Sequence, residues 1–250
     1  MNVKAARAAL GLLLLLGAGR ARAGGLNVSP IKIELSPALT KSLLLLRNDG
    51  NEPVRYQVSV HAWSQGPRGE MQLSPTKDII ALPALFALKA GEERNVRIGV
   101  ATPFGNIEKT YRVFIEELPP AEKPSQPVSQ VRVLTRVGVP VFLAPARVVD
   151  KRTIEGISVA HGRFQFKVVN GGTAHFREET VRVRGLDATG KELFNREQRG
   201  WYVLSGGSLA YEMELPKECA GLTTLVAQVT TEKGESFEER LPARAADCAP

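Results

Sequence analysis

Apolar residues at every second position are the feature that most constrains the fold of this 250-residue chain. Successive side chains of a β-strand point to opposite faces, so a period of two predicts strands with one buried face. The longest such run is 128–142, more than twice the length of an ordinary strand of about 5–6 residues. Its odd-numbered positions form one apolar face, which consists of Val131, Val133, Val137, Val139 and Val141.

The first half of this valine-rich run follows a proline-rich segment, 119–127, which marks the end of a predicted domain. An exposed apolar edge strand invites pairing with another chain, and proteins usually protect such an edge. A chain that keeps one can use it for strand addition, in which Val131 and Val133 would fill the groove of a partner that lacks a strand. The alternative is an ordinary last strand, bent at Gly138 and Pro140, which explains only the second half of the run well.

The rest of the chain shows short strand-like runs separated by turn residues, and almost no helical periodicity. One plan occurs twice, a strand, an Asn-x-Gly turn and a second strand, in "LLLLRNDGNEPVRYQVSV" and in "FQFKVVNGGTAHFREETVRV". Such spacing is typical of β-sandwiches, and the repeated plan indicates two copies of one fold. We therefore predict an all-β protein with two tandem immunoglobulin-like β-sandwich domains, 24–145 and 146–250.

The N-terminal residues have the pattern of an export signal. Lys4 and Arg7 precede a short apolar run, and Ala21-Arg22-Ala23 resembles a small-x-small cleavage site. The sequence predicts a signal peptide over 1–23, cleaved after Ala23, because the apolar run is too short for a membrane anchor. The four positive charges of this segment supply part of the net charge of +7, and no basic run elsewhere favours nucleic-acid binding.

The two cysteines, Cys219 and Cys248, both lie in the last third of the chain. Exported proteins form disulfide bonds, so the pair predicts a bridge at the end of the second domain. Two free thiols are the alternative.

Catalytic and metal-binding patterns are missing from the sequence. The histidines His61, His161 and His175 match no zinc motif, and there is no Cys-x-x-Cys pair. The turn 205–208 is not a nucleophile elbow, and the adjacent acids at 116–117 point to opposite faces of a strand. We therefore expect a binding protein without enzymatic activity, metal or cofactor.

Several stretches of the first half follow one another in a recognisable order. They include "LNVSPIKIELS", "LRNDGNEPVRYQVSVHAW", "EKTYRVFIEELPP" and "VRVLTRVGVPVFLAPA", and the pattern Pro-x-x-Phe-x-Leu-x-x-Gly-x-x-Arg-x-Val-Arg over 83–97. Through these motifs, residues 26–147 resemble the periplasmic pilus chaperones, the PapD-like family of chaperone–usher systems. The last stretch is most similar to the archaic, spore-coat-U-associated branch, and the second half matches only in its general plan.

The resemblance implies two immunoglobulin-like domains in an L-shaped or boomerang arrangement. Subunits of these pili lack their own last strand, and the chaperone lends its long seventh strand until the subunit reaches the outer-membrane usher. The implied partners are pilus or fimbrial subunits of the spore-coat-U type and the usher, in the periplasm, without ATP or another cofactor. The lent strand would present Val128, Val131, Val133 and Val137.

Members of this family hold the subunit's C-terminal carboxylate with a basic pair in the cleft between the domains. Counting back from Asn48-Asp49 places the first member at Lys32, which keeps the charge but not the fork geometry of arginine. The second is a lysine of the seventh strand, and Pro140 occupies its place here. We therefore assign Arg136 as the second anchor; the alternatives are Arg132, Arg97 and Arg94.

Three further expectations follow. Glu108 and Arg112 are four residues apart in one strand, share a face, and are predicted to form a structural pair. The exposed edge predicts that the free protein can self-associate through the lent strand. The alternative function is an exported two-domain immunoglobulin-like adhesin or cell-surface structural protein, which would not need an overlong last strand.

Overall fold

The computed structural model describes residues 25–120, 133–217 and 219–248. The predicted signal peptide and the strand residues Val128 and Val131 lie outside this part of the chain. The described residues form β-strands and one short 3-10 helix, Ala245–Cys248, without any α-helix. Within them, no helix has the length and apolar character needed to cross a membrane.

Ten of the described strands form a first β-sandwich. They are β1 (Leu26–Ser29), β2 (Ile33–Leu35), β3 (Lys41–Asn48), β4 (Val54–Gln65), β5 (Met71–Pro75), β6 (Ile79–Leu82), β7 (Leu85–Leu88), β8 (Glu93–Val100), β9 (Lys109–Glu117) and β10 (Arg136–Leu143). One sheet has the strand order β1-β3-β8-β6. The other has the order β2-β10-β9-β4-β5, and β7 also pairs with β4.

Alternation in the sequence determines which residues enter the core between these sheets. In β3, Leu44 and Leu46 are fully buried, and β9 buries Tyr111, Val113 and Ile115 from the facing sheet. Burial of one such side chain contributes about 1.5–3 kcal/mol, which fixes the face that each strand turns inward.

Eight strands form a second β-sandwich. They are β11 (Arg152–Ala160), β12 (Arg163–Asn170), β13 (Phe176–Leu186), β14 (Glu192–Arg199), β15 (Tyr202–Val203), β16 (Ser208–Glu214), β17 (Thr224–Thr231) and β18 (Ser236–Pro242). One sheet has the order β11-β12-β16, and the other has the order β14-β13-β17-β18 with β15 beside β13. The all-β class with two tandem sandwiches is therefore confirmed.

A disulfide bond joins Cys219 and Cys248, whose Cα atoms are 6.3 Å apart. Both residues are buried in the core of the second sandwich. Cys219 precedes β17, and Cys248 ends the 3-10 helix that follows β18. The bond therefore ties the last described turn of the chain to the sheet.

The repeated Asn-x-Gly plan has one structural cause in both sandwiches. The side-chain amides of Asn48 and Asn170 are buried and donate hydrogen bonds to carbonyl groups of neighbouring segments. Their Oδ1 atoms accept from the backbone N–H of Gly50 and Gly172, respectively, at 2.9 Å. Each asparagine thereby satisfies the buried backbone groups of its turn, as a buried turn requires.

An aromatic cluster joins the two sandwiches. Trp63 and Phe142 of the first sandwich pack against Tyr202 and Leu204 of the second, and all four are buried. The Gln65 side chain reinforces this contact, because its Nε2 donates to the Tyr202 carbonyl at 2.7 Å and its Oε1 accepts from the Leu204 N–H at 2.9 Å.

Candidate functional site

Strand β10 leaves part of its backbone edge without a partner strand. It pairs with β9 along its whole length, from Arg136 to Leu143. On its other side, β2 reaches only Val141–Leu143. Among the described residues, the edge from Arg136 to Pro140 therefore faces no strand, which is the arrangement that strand addition requires.

The apolar face of β10 continues from the core into solvent. Val139 and Val141 are buried in the core of the first sandwich, and Val137 is partly buried against it. Val133, on the same face of the run, is 83% exposed. One face of one segment thus serves the protein's own core at one end and is uncovered at the other.

The described part of the predicted strand is shorter than the sequence pattern suggested. It begins at Arg136, and Val133 precedes it outside regular strand structure. The reason is the length of the neighbour, since β9 ends at Glu117 and Pro119-Pro120 follow, which offer no N–H groups for a ladder. Just before the strand, Thr135 still contacts β9, because its carbonyl accepts from the Glu117 N–H at 2.8 Å.

A groove of about 430 Å³ lies between the two sandwiches. Lys32 enters it from the first sandwich, just before β2. The Lys32 Nζ atom is 2.9 Å from Glu34 Oε1 and 3.3 Å from Glu232 Oε1, which belongs to the second sandwich. Other groove residues include Phe142, His175, Arg177 and Lys233.

The electrostatics of the groove keep Lys32 charged. Partial burial opposes the charge, but the hydrogen bonds and charges of Glu34 and Glu232 outweigh it and raise the pKa of the amine. The hydrogen bond from Lys32 lowers the pKa of Glu34, against the opposing effect of burial. Lys32 is therefore a protonated cation at neutral pH that already has two carboxylate partners.

Arg136, the predicted second anchor, does not reach this groove. Its Nε is 2.7 Å from Glu116 Oε1, and its guanidinium lies 3.9 Å from the centroid of the Phe114 ring. Of the alternatives, Arg94 and Arg97 belong to β8 in the other sheet and line a different groove, while Arg132 lies outside the described residues. Among the described candidates, the structure brings Lys32 to the cleft, and it does not bring Arg136, Arg94 or Arg97 there.

Glu108 and Arg112 do not form the predicted pair. Glu108 precedes β9 and turns to the second sandwich, where its Oε2 accepts from the His175 backbone N–H and contacts His175 Nδ1, both at 2.8 Å. The Glu108 N–H also donates to the Thr173 carbonyl. These contacts to the second domain draw Glu108 away from Arg112, so the acid connects the domains instead.

Arg112, which sequence reasoning assigned only to a structural pair, is a buried cation beside the aromatic cluster between the sandwiches. Its side chain is buried, with the guanidinium 4.0 Å from the Trp63 ring centroid and 5.9 Å from that of Tyr202. Nη1 is 3.4 Å from the Gly138 carbonyl, and Nε and Nη2 have no hydrogen-bond partner in the described structure. Burial lowers the pKa of Arg112, but arginine stays protonated in proteins.

Lys32 and Arg112 lie on either side of Pro140. Pro140 is directly opposite Arg112 in the antiparallel ladder, and the short parallel ladder places Val141 opposite Ile33, next to Lys32. Strands are about 4.7–4.9 Å apart, so the two cations come from backbones about 10 Å apart. Arg112 shares its sheet face with Trp63 of the neighbouring strand β4, a relation that alternation within one strand does not reveal.

The histidines form no metal site. His61 packs edge-on against Phe114, and His175 stacks on Phe142 with the ring centroids 3.6 Å apart. His161 has a left-handed backbone in the turn between β11 and β12. In the described residues, no group of three histidine, cysteine or acidic side chains is placed to hold a metal ion.

Comparison with known proteins agrees with this architecture. The chain resembles the structure of the CsuC–CsuE chaperone–tip adhesion subunit pre-assembly complex from archaic chaperone-usher Csu pili of Acinetobacter baumannii, with a TM-score of 0.60 and 16% identity over 86% of this chain and 97% of that one. The Salmonella enterica SafA pilin complex with the SafB chaperone gives a TM-score of 0.56 and 17% identity, over 88% and 98% of the chains. The structure of the E. coli chaperone DraB gives a TM-score of 0.53 and 22% identity, over 89% of this chain and 97% of that one.

No curated protein sequence matches the chain. The family model described as "Pili and flagellar-assembly chaperone, PapD N-terminal domain" matches residues 25–149, which is half of the chain and contains the whole first sandwich. The protein therefore belongs to the PapD family of pilus and flagellar-assembly chaperones.

Proposed function

We propose that this protein is a periplasmic chaperone that completes the sheet of a pilus subunit with its own β10 edge. The observation that carries the proposal is the half-covered apolar face of β10 and of the segment before it. Val139 is buried in the protein's own core, whereas Val133, on the same face, is 83% exposed. Val128, Val131, Val133 and Val137 remain the proposed contacts with the subunit.

The free edge explains how the strand can bind a subunit through non-covalent contacts alone. A subunit strand beside residues 136–140 would satisfy their outward backbone groups, and main-chain hydrogen bonds of this kind supply affinity in strand addition. Each exposed valine that becomes buried would add about 1.5–3 kcal/mol. Binding and release then depend on exchanging one strand for another, and neither step needs ATP or another cofactor.

We further propose that Lys32 and Arg112 anchor the C-terminal carboxylate of the subunit. Lys32 lines the groove between the sandwiches, and Arg112 lies one strand beyond Pro140 on the same sheet. Nε and Nη2 of Arg112 are buried and lack acceptors, so a carboxylate that displaced the side chains covering them would supply charge-assisted hydrogen bonds. This assignment replaces Arg136, which is engaged with Glu116 and Phe114.

The comparisons supply the class of partner. The matched Csu and Saf structures are complexes of a chaperone with a tip adhesion subunit and with a pilin, respectively. By analogy, this protein would hold a fimbrial subunit of the spore-coat-U type and transfer it to an outer-membrane usher. In the absence of a subunit, the free β10 edge would pair with a second copy of the protein.

The test is a pulldown of the tagged protein from the periplasm of its native cells. We expect the wild type to co-purify with one small β-rich exported protein in equal amounts, and Val133→Arg to lose it, because a charge would enter the apolar contact. Leu193→Arg is the matched control, since Leu193 is an exposed apolar residue of β14 in the other sandwich. Unchanged capture by Val133→Arg would refute strand lending, and a protein that stays at the cell surface without a subunit would favour an adhesin.

A further inference from the structure

We infer that Glu232 is an internal competitor at Lys32, which holds the place of the subunit carboxylate until a subunit arrives. The inference rests on the proposed function, because it requires a partner that presents a carboxylate to the groove. It adds a regulatory contact within the chaperone, supplied by the second sandwich to an anchor of the first.

The position of Glu232 is fixed by its backbone. It lies in the turn between β17 and β18, where its N–H donates to the Arg177 carbonyl at 2.9 Å. The Thr231 N–H donates to the Glu235 carbonyl at 2.8 Å across the same turn. Gly234 adopts the left-handed backbone conformation that the turn requires. The turn therefore presents the Glu232 carboxylate to Lys32 from across the groove.

The Lys32–Glu232 ion pair is exposed enough for another carboxylate to replace Glu232. The side chains of Lys32 and Glu232 keep 32% and 30% of their accessible surface, and the two atoms are 3.3 Å apart. Partly exposed ion pairs of this kind are weak because water screens them. A carboxylate brought in by a bound strand can therefore displace Glu232 without a large penalty.

A second cation is ready to receive Glu232 after displacement. Arg177 Nη1 already lies 3.8 Å from Glu232 Oε2, the oxygen that does not contact Lys32. Lys32 also has a closer partner, Glu34 at 2.9 Å, which the exchange does not remove. The exchange thus leaves neither Lys32 nor Glu232 without a partner of opposite charge.

The contact is not needed to hold the sandwiches together. The aromatic cluster of Trp63 and Tyr202, the two hydrogen bonds of Gln65, and the Glu108–His175 contact already join them. A role as competitor predicts selectivity for ligands that end in a carboxylate, whereas a role as structural clasp predicts an effect on stability alone.

The experiment compares two short peptides that alternate valine with threonine, one ending in a free carboxylate and the other in a carboxamide. Their affinities for the full protein are measured by fluorescence anisotropy. Glu232→Gln is expected to bind the acid peptide about two- to fivefold more tightly than the wild type does, with the amide unchanged. Lys32→Ala is expected to reduce the preference for the acid, and Arg112 would account for any preference that remains.

Glu235→Gln is the matched control, because Glu235 lines the same groove, changes the net charge equally, and pairs with Arg152 instead of Lys32. The inference would be overturned if both variants bound the acid peptide equally more tightly, or if Glu232→Gln bound both peptides more tightly. Either result would show only that removing a negative charge from the groove favours binding in general. If the wild type prefers the acid peptide but Glu232→Gln leaves the preference unchanged, the inference fails and the proposed function stands. If neither peptide binds any variant, both fail.

Discussion

Arg112 is a buried cation that opposes the stability of the fold, and we propose that it serves binding instead. A buried cation without an acidic partner is costly, because the protein replaces water with groups that do not satisfy its N–H donors. Two of the Arg112 nitrogens are in this condition among the described residues, and the nearest compensation is the Trp63 ring. A residue of this kind is expected at a binding site rather than in a structural core.

Arg112→Met is therefore expected to stabilise the free protein and weaken subunit binding. Methionine fills a similar apolar volume without the desolvation penalty, so the free energy of unfolding should rise by about 1 kcal/mol or more. Loss of charge-assisted hydrogen bonds should weaken capture by about tenfold or more. Denaturant unfolding and subunit titration measure both effects, with Arg97→Met as the exposed control; a destabilised variant with unchanged binding would contradict the assignment.

Glu178 makes the second sandwich sensitive to pH. It is buried, its Oε2 accepts from the Tyr211 hydroxyl and from the Trp201 N–H, and its Oε1 has no partner in the described structure. Burial raises the pKa of Glu178 from 4.5 to about 7, although these hydrogen bonds oppose the shift. The fold therefore favours the protonated acid over the carboxylate.

The sign of the pH dependence follows from this shift. A raised pKa in the folded state stabilises the protein fully below about pH 4.5, and the contribution is lost as the pH rises through about 7. The loss is of the order of 3 kcal/mol. Denaturant unfolding between pH 4.5 and 7 should show this fall in the free energy of unfolding. Glu178→Gln should flatten the pH dependence, whereas the control Glu179→Gln, at an exposed neighbouring residue, should not. A Glu178→Gln variant with the same slope as the wild type would contradict the assignment.

At this scale, the sequence predicts residues whose role depends on local pattern. Counting along the chain places Lys32 correctly in the cleft, and the Asn-x-Gly turns at Asn48 and Asn170 follow from local chemistry. Arg112 and Glu178 escape prediction because their burial comes from residues distant in sequence, such as Tyr202 and Tyr211. Arg136 has the right charge and strand, but only the three-dimensional position of the cleft shows that it is too far along the strand.

Strand β10 is the element on which the proposed function depends. Its residue Gly138 leaves space for the side chain of Phe114 from the neighbouring strand. A Cβ atom at Gly138 would lie 2.9 Å from Cε1 of Phe114. The Phe114 ring in turn supports the guanidinium of Arg136 at the start of the strand. The absence of a side chain at Gly138 thus leaves room for the Phe114 ring beside β10.

Gly138→Ala is expected to displace the Phe114 ring and loosen the start of β10. Overpacking of this kind costs about 1–3 kcal/mol, and subunit capture should fall with it. Amide hydrogen exchange of 136–139 and thermal unfolding measure the effect. Gly99→Ala in β8 is the matched control, since nothing lies within 4 Å of its Cβ position; equal behaviour of the two variants would refute this role for Phe114.

Elements are predicted well where their own pattern suffices. The period of two identifies β3, β4, β9 and the second half of β10 because their core-facing residues are apolar at alternate positions, although β9 and β10 also bury residues of the opposite face. Alternation alone does not determine where the valine-rich strand begins, because the extent of a strand also depends on the length of the strand beside it. In the described structure, the ladder stops where β9 ends at Glu117.

At the scale of the whole molecule, the two sandwiches are held by few polar contacts around one aromatic cluster. The Gln65 side chain makes two of them, both to the backbone of the second sandwich. The repeated turn plan of the sequence predicts two copies of one fold, but it does not predict this interface, because Gln65 is 137 residues from Tyr202. The cleft and its charges depend on this and the other long-range contacts between the sandwiches.

Gln65→Ala is expected to broaden the distribution of angles between the sandwiches. Loss of the two hydrogen bonds should weaken subunit binding by about two- to tenfold, with little change in the unfolding of either sandwich. Small-angle X-ray scattering measures the shape, and Gln72→Ala, whose side chain bonds within its own sandwich, is the control. An unchanged scattering profile with unchanged affinity would show that the aromatic cluster alone sets the arrangement.

The most direct test of strand lending is amide hydrogen exchange of residues 133–139, in the free chaperone and in the complex isolated from native cells. The free edge of β10 should exchange quickly when the protein is alone and slowly in the complex, because a subunit strand then bonds to its outward backbone groups. Protection should extend back to Val133, beyond the present start of β10 at Arg136. A complex that forms while these amides exchange as fast as in the free protein would contradict the account.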